Sequence, residues 1–457
     1  MNRIARRTVI TALLALILTG GMVIFLYEYI MSAAKWAVFQ GNPHIYNGVN
    51  IDCGTITDAE GHVLLSMTDG RTYSSDPVLK ESTLHWVGDR YGYVSAPAVA
   101  SHTEDLVGYS LWNGLYSYSG NLGGTAALTL YGSIQKAAME ALGDYNGTVG
   151  VYNYKTGEIL CAVTKPSYDP DNVPDFEEDE TGSLDGIFVN RFVQSTYTPG
   201  SIFKIATTAA ALENLQDIED YRFSCNGYYE VGADMVTCEA YHGEQSLKEA
   251  MCNSCNCAYA QLAELLGNRV LTESISRYRL TEPVRFDGIT TAAGNFDISR
   301  AEQVQVDWSA IGQYTDLINP CRYMVFMGAI AGGGKAAVPY VVKDITAGGR
   351  RTYRAQKTET EMMLEEAAAE KLTEYMRNNV VNNYGDYYFP GLTVCAKSGT
   401  SQSDNGQASN AMFAGFVTDE KYPLAFVIVV EQGGYGGMVC PPIMGRILEE
   451  CKSCLDR

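Results

Sequence analysis

The sequence predicts an α+β protein, in which a sheet flanked by helices carries a helical subdomain and is preceded by a small β-containing pedestal and one N-terminal transmembrane helix. Three features support this prediction. A long charge-free segment opens the chain, short β-like pieces follow it, and strand patterns near the middle and the end of the chain enclose a long helical region. With 457 residues, 46% hydrophobic and 19% charged, the chain can bury a large core in about two or three domains.

The N-terminal segment has the length and charge pattern of a membrane anchor. Three arginines precede residues 8–27, an uncharged stretch long enough to cross a bilayer as one helix of about twenty residues. The basic end predicts a cytoplasmic N-terminus and an extracytoplasmic remainder. A cleaved signal peptide is the alternative, but its apolar core usually spans only about 7 to 15 residues. We therefore predict a cytoplasmic tail at residues 1–7 and an anchor at residues 8–30.

Residues 31–127 are predicted to form the pedestal, a module without a catalytic constellation. They are rich in Gly, Ser and Tyr, and Gly54–Thr57 and His62–Leu65 have the pattern of short strands joined by a turn. The character of the sequence changes at Leu128. We therefore place the main domain at residues 128–457.

The main domain is predicted to be a layered sheet with a helix at each end. A helical body should be inserted between Lys165 and about Leu392. The other expected elements are a helix at Leu128–Leu142, a hairpin of Thr148–Tyr152 and Glu158–Val163, strands at Ala411–Val417 and Leu424–Glu431, and a helix at Pro442–Leu455.

Ser201 and Lys204 form the first of three candidate catalytic motifs. They follow a Pro-Gly break and open an Ala-rich run that should be helical, so both side chains share one helix face. Burial among apolar neighbours lowers the pKa of a lysine, which can then take the serine proton and make the serine a nucleophile. The same spacing occurs at Ser32–Lys35 and Ser133–Lys136, but neither follows such a break.

Ser254 and Asn256 form the second motif, in a predicted break between two helices. A hydroxyl and an amide there can point into a cleft. Ser and Asn are also common helix caps, and the motif taken alone favours the cap. The same pattern appears at Ser119–Asn121 and Ser403–Asn405.

The third motif follows the strand predicted at Leu392–Ala396 and consists of Lys397, Ser398, Gly399 and Thr400. A strand that borders a cleft can offer backbone groups to an extended peptide, while a lysine and two hydroxyls bind a terminal carboxylate. Lys155-Thr156-Gly157 has the same short pattern. It lies in the predicted hairpin turn, so we interpret it as a chance match.

The order and setting of the three motifs resemble those of the penicillin-binding transpeptidases. The resemblance covers residues 42–445, is greatest to the monofunctional class B type, and implies a penicillin-binding transpeptidase or serine β-lactamase-like fold. Further landmarks are Gly54–Asp58, Pro166–Pro170, Tyr197–Gly200, His242-Gly243, Ala310–Gln313, Ala329–Gly333 and Val429–Glu431. The sequence departs from the usual family pattern at Cys53, Tyr131 and Ala396, and none of these residues is expected to take part in the reaction.

The resemblance also implies a reaction. Ser201 would attack the carbonyl between the last two D-alanines of a peptidoglycan stem peptide, with Lys204 as the base and the backbone N–H groups of Ser201 and Thr400 holding the oxyanion. Ser254 would pass a proton to the leaving amine, and Asn256 would orient the acyl chain. Lys397, Ser398 and Thr400 would hold the substrate carboxylate. An amine of a neighbouring stem would resolve the acyl-enzyme, and β-lactams would occupy the same site.

The resemblance leaves two alternatives open and suggests one partner. A membrane-anchored β-lactamase or β-lactam sensor would share the motifs, but the hydrolase signature Glu-x-x-Leu-Asn is missing. A catalytically silent cell-wall scaffold would have no need of an intact Ser201. A membrane glycan polymerase of the elongation or division machinery is a candidate partner.

Composition and motif searches exclude other functions. The net charge of −20 argues against a nucleic-acid partner. The chain contains neither His-Glu-x-x-His nor Gly-x-Ser-x-Gly, the signatures of zinc peptidases and Ser-His hydrolases. We therefore expect no cofactor.

The twelve cysteines are unusual in an exported chain. Oxidising surroundings would pair them, whereas an organism living without oxygen could leave them as thiols, and the sequence does not decide between the two. Cys225 and Cys238 flank a Gly-rich hairpin-like segment and are the best candidates for a disulfide. Two other sets, Cys252/Cys255/Cys257 and Cys451/Cys454, resemble half-sites for zinc. Neither set has a second pair at the usual spacing, so we predict no metal site.

Overall fold

Two sheets organise the chain in a computed structural model, which describes residues 2–68, 70–109, 111–112, 114–115, 123–176, 179, 182–401 and 408–457. The helices are α1 Asn2–Ala37, α2 Pro77–Val87, α3 Pro97–Ala100, α4 Thr103–Val107, α5 Gly132–Leu142, α6 Arg191–Gln194, α7 Lys204–Asn214, α8 Leu247–Cys252, α9 Asn256–Arg277, α10 Gln303–Ile311, α11 Pro320–Ala331, α12 Glu366–Asn379 and α13 Gly436–Asp456. The strands are β1 Tyr46–Asn47, β2 Asn50–Ile51, β3 Thr55–Thr57, β4 Val63–Ser66, β5 Thr72–Tyr73, β6 Thr125–Leu128, β7 Gly147–Asn153, β8 Ile159–Lys165, β9 Phe223–Cys225, β10 Tyr228–Val231, β11 Asp234–Thr237, β12 Gly243–Gln245, β13 Arg285–Phe286, β14 Ile289–Thr290, β15 Val342–Ala347, β16 Arg350–Arg354, β17 Val394–Ser401, β18 Asn410–Val417 and β19 Leu424–Val430.

The larger core surrounds a five-stranded antiparallel sheet of order β17-β18-β19-β7-β8. Strand β19 is apolar at every position because helices cover both faces of the sheet. Alternate residues face opposite sides. Phe426 and Ile428 join the cluster with α5 and α13, whereas Val427 and Val429 join the cluster with α7 and α11. The α+β fold, its hairpin and its C-terminal helix are therefore confirmed.

One predicted boundary is wrong in detail. Residues 125–128 form β6, so the helix expected to start at Leu128 begins instead at Gly132. The second sheet has six short strands in the order β16-β15-β6-β3-β4-β5 and contains the predicted pair of pedestal strands, β3 and β4. This sheet takes strands from both sides of residue 128, and the division of the chain into residues 31–127 and 128–457 remains a prediction.

The N-terminal helix α1 is apolar, exposed and long enough to cross a membrane. It contains all of the predicted anchor, residues 8–30, and continues beyond it on both sides. The helix is therefore a candidate membrane span.

A buried glutamine on α5 forms hydrogen bonds with both α2 and β8, the strand at the edge of the main sheet. Gln135 on α5 accepts a hydrogen bond from the backbone N–H of Ala162 at 2.7 Å and donates one to the carbonyl of Ser82 on α2 at 2.9 Å. Trp86 on α2 donates to the carbonyl of the same Ala162 at 2.7 Å. Because β8 ends the sheet, these side chains satisfy backbone groups that have no neighbouring strand.

Replacing this glutamine should destabilise the protein without touching the candidate site. Gln135→Leu leaves the buried N–H of Ala162 without a partner and removes the hydrogen bond to the Ser82 carbonyl, and we expect the free energy of unfolding to fall by about 1 to 3 kcal/mol. Thermal unfolding followed by circular dichroism would measure the change. Gln356→Leu, at an exposed position, is the control and should melt like the parent. Equal melting temperatures for the two variants would contradict this role of Gln135.

Candidate active site

Two glycines allow the first and third motifs to touch. Ser201 lies in a 3₁₀ turn, Gly200–Ile202, immediately before α7. Gly200 has a φ of +54°, and a Cβ on it would lie 2.4 Å from the carbonyl oxygen of Thr400. A Cβ on Gly399 would lie 2.8 Å from the carbonyl oxygen of Pro199. Only glycine fits such contacts, which bring the half-buried Ser201 against β17.

Lys204 is a fully buried lysine at the first position of α7. Its Nζ donates to the carbonyl of Ser254 at 2.6 Å, to Ser254 Oγ at 3.3 Å and to Asn256 Oδ1 at 2.7 Å. Burial, together with the positive charge of Lys397, lowers the pKa of Lys204 to about 7. None of these hydrogen bonds reaches Ser201, so the lysine is held by the second motif.

The second motif is a strained turn, and the helix-cap interpretation of it is wrong. Ser254 has a φ of +52°, which is uncommon for any residue except glycine. The N-cap of α9 is Cys255, which makes no side-chain capping hydrogen bond, and Asn256 is the first helical residue. The Asn256 side chain accepts from Lys204 and donates to the carbonyl of Thr237 at 2.9 Å. The side chains of Ser254 and Asn256 therefore both accept hydrogen bonds from Lys204.

Lys397 is the second fully buried lysine of the site. Its Nζ donates to Ser254 Oγ at 3.1 Å, to Tyr384 Oη at 3.3 Å and to the carbonyl of Ser398 at 2.8 Å. Burial lowers the pKa of Lys397 to about 7. Ser254 Oγ therefore lies between two ammonium groups.

Strand β17 is longer than predicted and includes the whole third motif. It runs from Val394 to Ser401, so Lys397 to Thr400 lie within the strand and not beyond its end. Apolar residues occupy only its first half, which is why the sequence pattern ends early. Thr400 Oγ1 accepts a hydrogen bond from the backbone N–H of Gly436 at 3.2 Å, which leaves its own proton to donate.

Two sets of contacts at the site have no signal in the sequence, although Tyr197 and Glu431 themselves lie in landmarks of the resemblance. Tyr384, in a π-helical turn after α12, accepts hydrogen bonds from the backbone N–H and the Oγ of Ser398, both at 3.1 Å. Glu431, after β19, accepts from Arg191 Nε at 2.8 Å and from Tyr197 Oη at 2.7 Å. These contacts join residues far apart in the chain, so no local motif reveals them.

A cavity of about 650 Å³ opens onto the three motifs. Its lining includes Ser201, Ser254, Asn256, Ser398 and Thr400. Thr237, Cys238, Glu239, Trp308 and Tyr314 are among the residues that form the rest of its wall. The structure thus brings the predicted motifs together around one space large enough for a small peptide.

The other matches to the short patterns lie elsewhere. Ser32 is on α1, and Ser133 contacts Cys454 Sγ at 3.0 Å while Lys136 pairs with Asp76. Lys155 is exposed in the turn between β7 and β8. The remaining Ser-x-Asn matches, at 119–121 and 403–405, lie outside the described residues.

The cysteines differ from their prediction. All twelve are free, so the candidate pair Cys225 and Cys238 forms no disulfide. Cys225 and Cys238 lie instead beside Cys255 and Cys257, with the four sulfurs within 4.8 Å of one another, a grouping that their spacing in the sequence does not reveal.

The fold and the three assembled motifs define the chain as a protein of the penicillin-binding and serine β-lactamase class. Residues 147–449 match the family model of the penicillin-binding protein transpeptidase domain, and the chain belongs to this family.

Relatives and solved structures agree with this assignment. The chain is 29% identical to stage V sporulation protein D of Bacillus subtilis over 65% of its own length and 48% of the relative, so it spans about half of that protein. It is 26% identical to the peptidoglycan D,D-transpeptidase PbpA of Mycobacterium tuberculosis over 72% of each chain. A solved structure shows the same fold: penicillin-binding protein A from M. tuberculosis in an imipenem acyl-enzyme complex. The two proteins are 24% identical, and their structures superpose with a TM-score of 0.76 over 88% of this chain and 98% of that chain.

The buried tyrosine hydroxyl provides a test of how the third motif is held. Tyr384→Phe removes the acceptor for Ser398 and a partner of Lys397, and we expect labelling by a fluorescent penicillin to slow about tenfold. Tyr387→Phe, three residues away and 77% exposed, is the matched control and should label at the parental rate. Unchanged labelling of Tyr384→Phe would show that the hydroxyl does not hold the motif.

Proposed function

We propose that this protein is a membrane-anchored peptidoglycan D,D-transpeptidase that forms an acyl-enzyme on Ser201 and is acylated there by β-lactams. The observation that carries the proposal is that two buried lysines donate hydrogen bonds to Ser254 Oγ, and that Ser254 and Ser201 line one cavity. Its homologues include peptidoglycan D,D-transpeptidases.

In the first step, Ser201 Oγ attacks the carbonyl carbon of the bond between the two terminal D-alanines. The lowered pKa leaves a large fraction of Lys204 neutral near pH 7, so it can accept the serine proton. Lys204 is held by Ser254 and Asn256, and its side chain turns towards Ser201 to take the proton. Apo geometry of this kind commonly tightens when substrate binds.

In the second step, the tetrahedral intermediate expels the terminal D-alanine. The backbone N–H groups of Ser201 and Thr400 hold the oxyanion, a contribution of about 3 to 4 kcal/mol per donor in related chemistry. The proton taken by Lys204 passes to Ser254 Oγ, which in turn protonates the leaving amine. The hydrogen bonds from both lysines to this oxygen support that route.

The third motif binds the carboxylate of the leaving D-alanine. β17 is an edge strand. Side chains already bond its outer backbone groups as far as Ser398, so the backbone of Thr400 is the part that would pair with an extended peptide. Lys397 supplies positive charge, and the hydroxyls of Ser398 and Thr400 line the cavity beside it. Gly399 keeps this strand close to the serine.

The last step transfers the acyl group to an amine of a neighbouring stem peptide. Attack by the amine releases Ser201 and creates the cross-link. For this chemistry the catalytic domain must lie outside the cell, which agrees with an anchor α1 whose basic end stays in the cytoplasm. A membrane glycan polymerase of the elongation or division machinery is a candidate partner because it would supply the strands to be joined.

Covalent labelling tests the nucleophile. Ser201→Ala should abolish the mass increase of the protein after incubation with benzylpenicillin, because the proposed nucleophile is removed while Ser254, the cavity serine bonded by both buried lysines, remains. Ser32→Ala and Ser133→Ala, which alter the other Ser-x-x-Lys matches, should label normally. A full-sized adduct on Ser201→Ala would refute the assignment.

The lifetime of the adduct separates a transpeptidase from a β-lactamase. A lactamase needs a base that activates water, and Glu239 is the carboxylate among the described residues that line the cavity. It is exposed and outside the three motifs, so we expect the penicilloyl adduct to persist for many minutes, and equally long in Glu239→Gln.

A stem-peptide amine should raise turnover of a D-Ala-D-Ala peptide and yield a cross-linked dimer. Rapid, repeated hydrolysis of benzylpenicillin without a detectable adduct would favour the lactamase. If the adduct then persisted in Glu239→Gln, this result would identify Glu239 as the base that activates water. A protein that never becomes acylated would favour the scaffold.

A further inference from the structure

Four cysteine sulfurs meet beside the active site. The Sγ atoms of Cys225, Cys238, Cys255 and Cys257 all lie within 4.8 Å of one another, and those of Cys238 and Cys255 are 3.9 Å apart. Four sulfurs bound tetrahedrally to Zn²⁺ at about 2.3 Å would be about 3.8 Å from each other. The spacing of the cluster is therefore that of a metal site, and it is too wide for disulfides, whose sulfurs are about 2.05 Å apart.

The cluster joins three separate parts of the chain. Cys225 ends β9, Cys238 follows β11, and Cys255 and Cys257 begin α9. Three of the four side chains are buried, and Cys238 is half-buried at the cavity wall. Their convergence from distant segments is unlike a chance surface grouping.

A histidine lies within hydrogen-bonding distance of two sulfurs of the cluster. His242 Nδ1 lies 3.5 Å from the sulfurs of both Cys225 and Cys238. A ring N–H at this distance can donate to a thiolate, which is how outer side chains orient and stabilise metal ligands.

We propose that Cys225, Cys238, Cys255 and Cys257 bind one Zn²⁺ as a structural, four-thiolate site. Four soft sulfur ligands in a tetrahedral arrangement select zinc or iron over Mg²⁺ or Ca²⁺. Zinc has no redox chemistry, and a closed set of four protein ligands is typical of its structural sites. Binding would also keep these thiols from pairing in an oxidising compartment.

The site would hold the second catalytic motif in place, an inference that rests on the proposed function. Cys255 stands between Ser254 and Asn256, and Asn256 donates to the carbonyl of Thr237, next to Cys238. The metal would thus tie the β10–β11 hairpin to the turn in which Ser254 has a φ of +52°. The four cysteines are positioning residues, since none of them contacts the reacting atoms.

Metal analysis of the full-length protein in detergent tests the site without reference to activity. Protein purified without a metal-affinity column should contain about one zinc ion per chain by plasma mass spectrometry. Cys225→Ser and Cys257→Ser should each lose most of this zinc. Cys252→Ser, which alters a half-buried cysteine on α8 outside the cluster, should keep it.

Cobalt replacement gives an independent reading of the ligands. Co²⁺ added to the metal-free parent and to Cys252→Ser should produce the visible bands of tetrahedral thiolate coordination, and these should be absent from Cys225→Ser. A parent protein without stoichiometric metal, with iron instead of zinc, or with a mass showing disulfides among these cysteines would overturn the assignment.

The positioning role has its own test. Removing zinc with a chelator should slow acylation by benzylpenicillin about tenfold or more, and adding Zn²⁺ back should restore the rate. Cys257→Ser should be slow and should not recover with zinc. If the zinc-free parent were acylated at the full rate, the positioning role would be wrong. If the parent bound zinc but Ser201 were never acylated, the proposed function would fail instead.

Discussion

The active site depends on burying two lysines within hydrogen-bonding reach of one serine hydroxyl. Two unit charges about 6 Å apart repel each other by about 3 kcal/mol at an effective dielectric constant of about 20. Desolvation is the main cause that lowers the pKa of Lys204 and of Lys397 to about 7, and the charge of Lys397 adds to the effect on Lys204. The site therefore favours carrying fewer than two positive charges, which makes one lysine available as a base while the other remains an electrostatic anchor.

Maintaining that arrangement requires elements from distant parts of the chain to approach closely. The turn before α7 can lie against β17 because Gly200 and Gly399 have no side chains, and the contacts measured for their missing Cβ atoms are shorter than any other residue allows. Behind them, Tyr323 donates to the carbonyl of Ile202 at 2.6 Å and Thr207 to that of Ala310 at 2.6 Å. These buried hydrogen bonds fix the start of α7 against its neighbours.

The sequence revealed those parts of the site that have local signatures. A Pro-Gly break before an Ala-rich run distinguishes Ser201 from the other serines, and the alternating strands of the main sheet are clear from their apolar residues. Ser254 was ambiguous because serine also caps helices, and only the fold shows that Cys255 occupies the cap. Tyr384 and the four-cysteine cluster were missed because the contacts that define them are set by packing between remote segments.

The place of Cys255 inside the second motif has a consequence for the evolution of drug resistance. A lineage under β-lactam selection can exclude the drug by reshaping the wall of its cavity. The turn at 254–256 is constrained in two ways, because it carries both the second motif and one sulfur of the cysteine cluster. A substitution that moves Ser254 or Asn256 also shifts a sulfur that packs against three others. Adaptive change is thereby directed away from this turn and towards other lining residues, such as Trp308 and Tyr314.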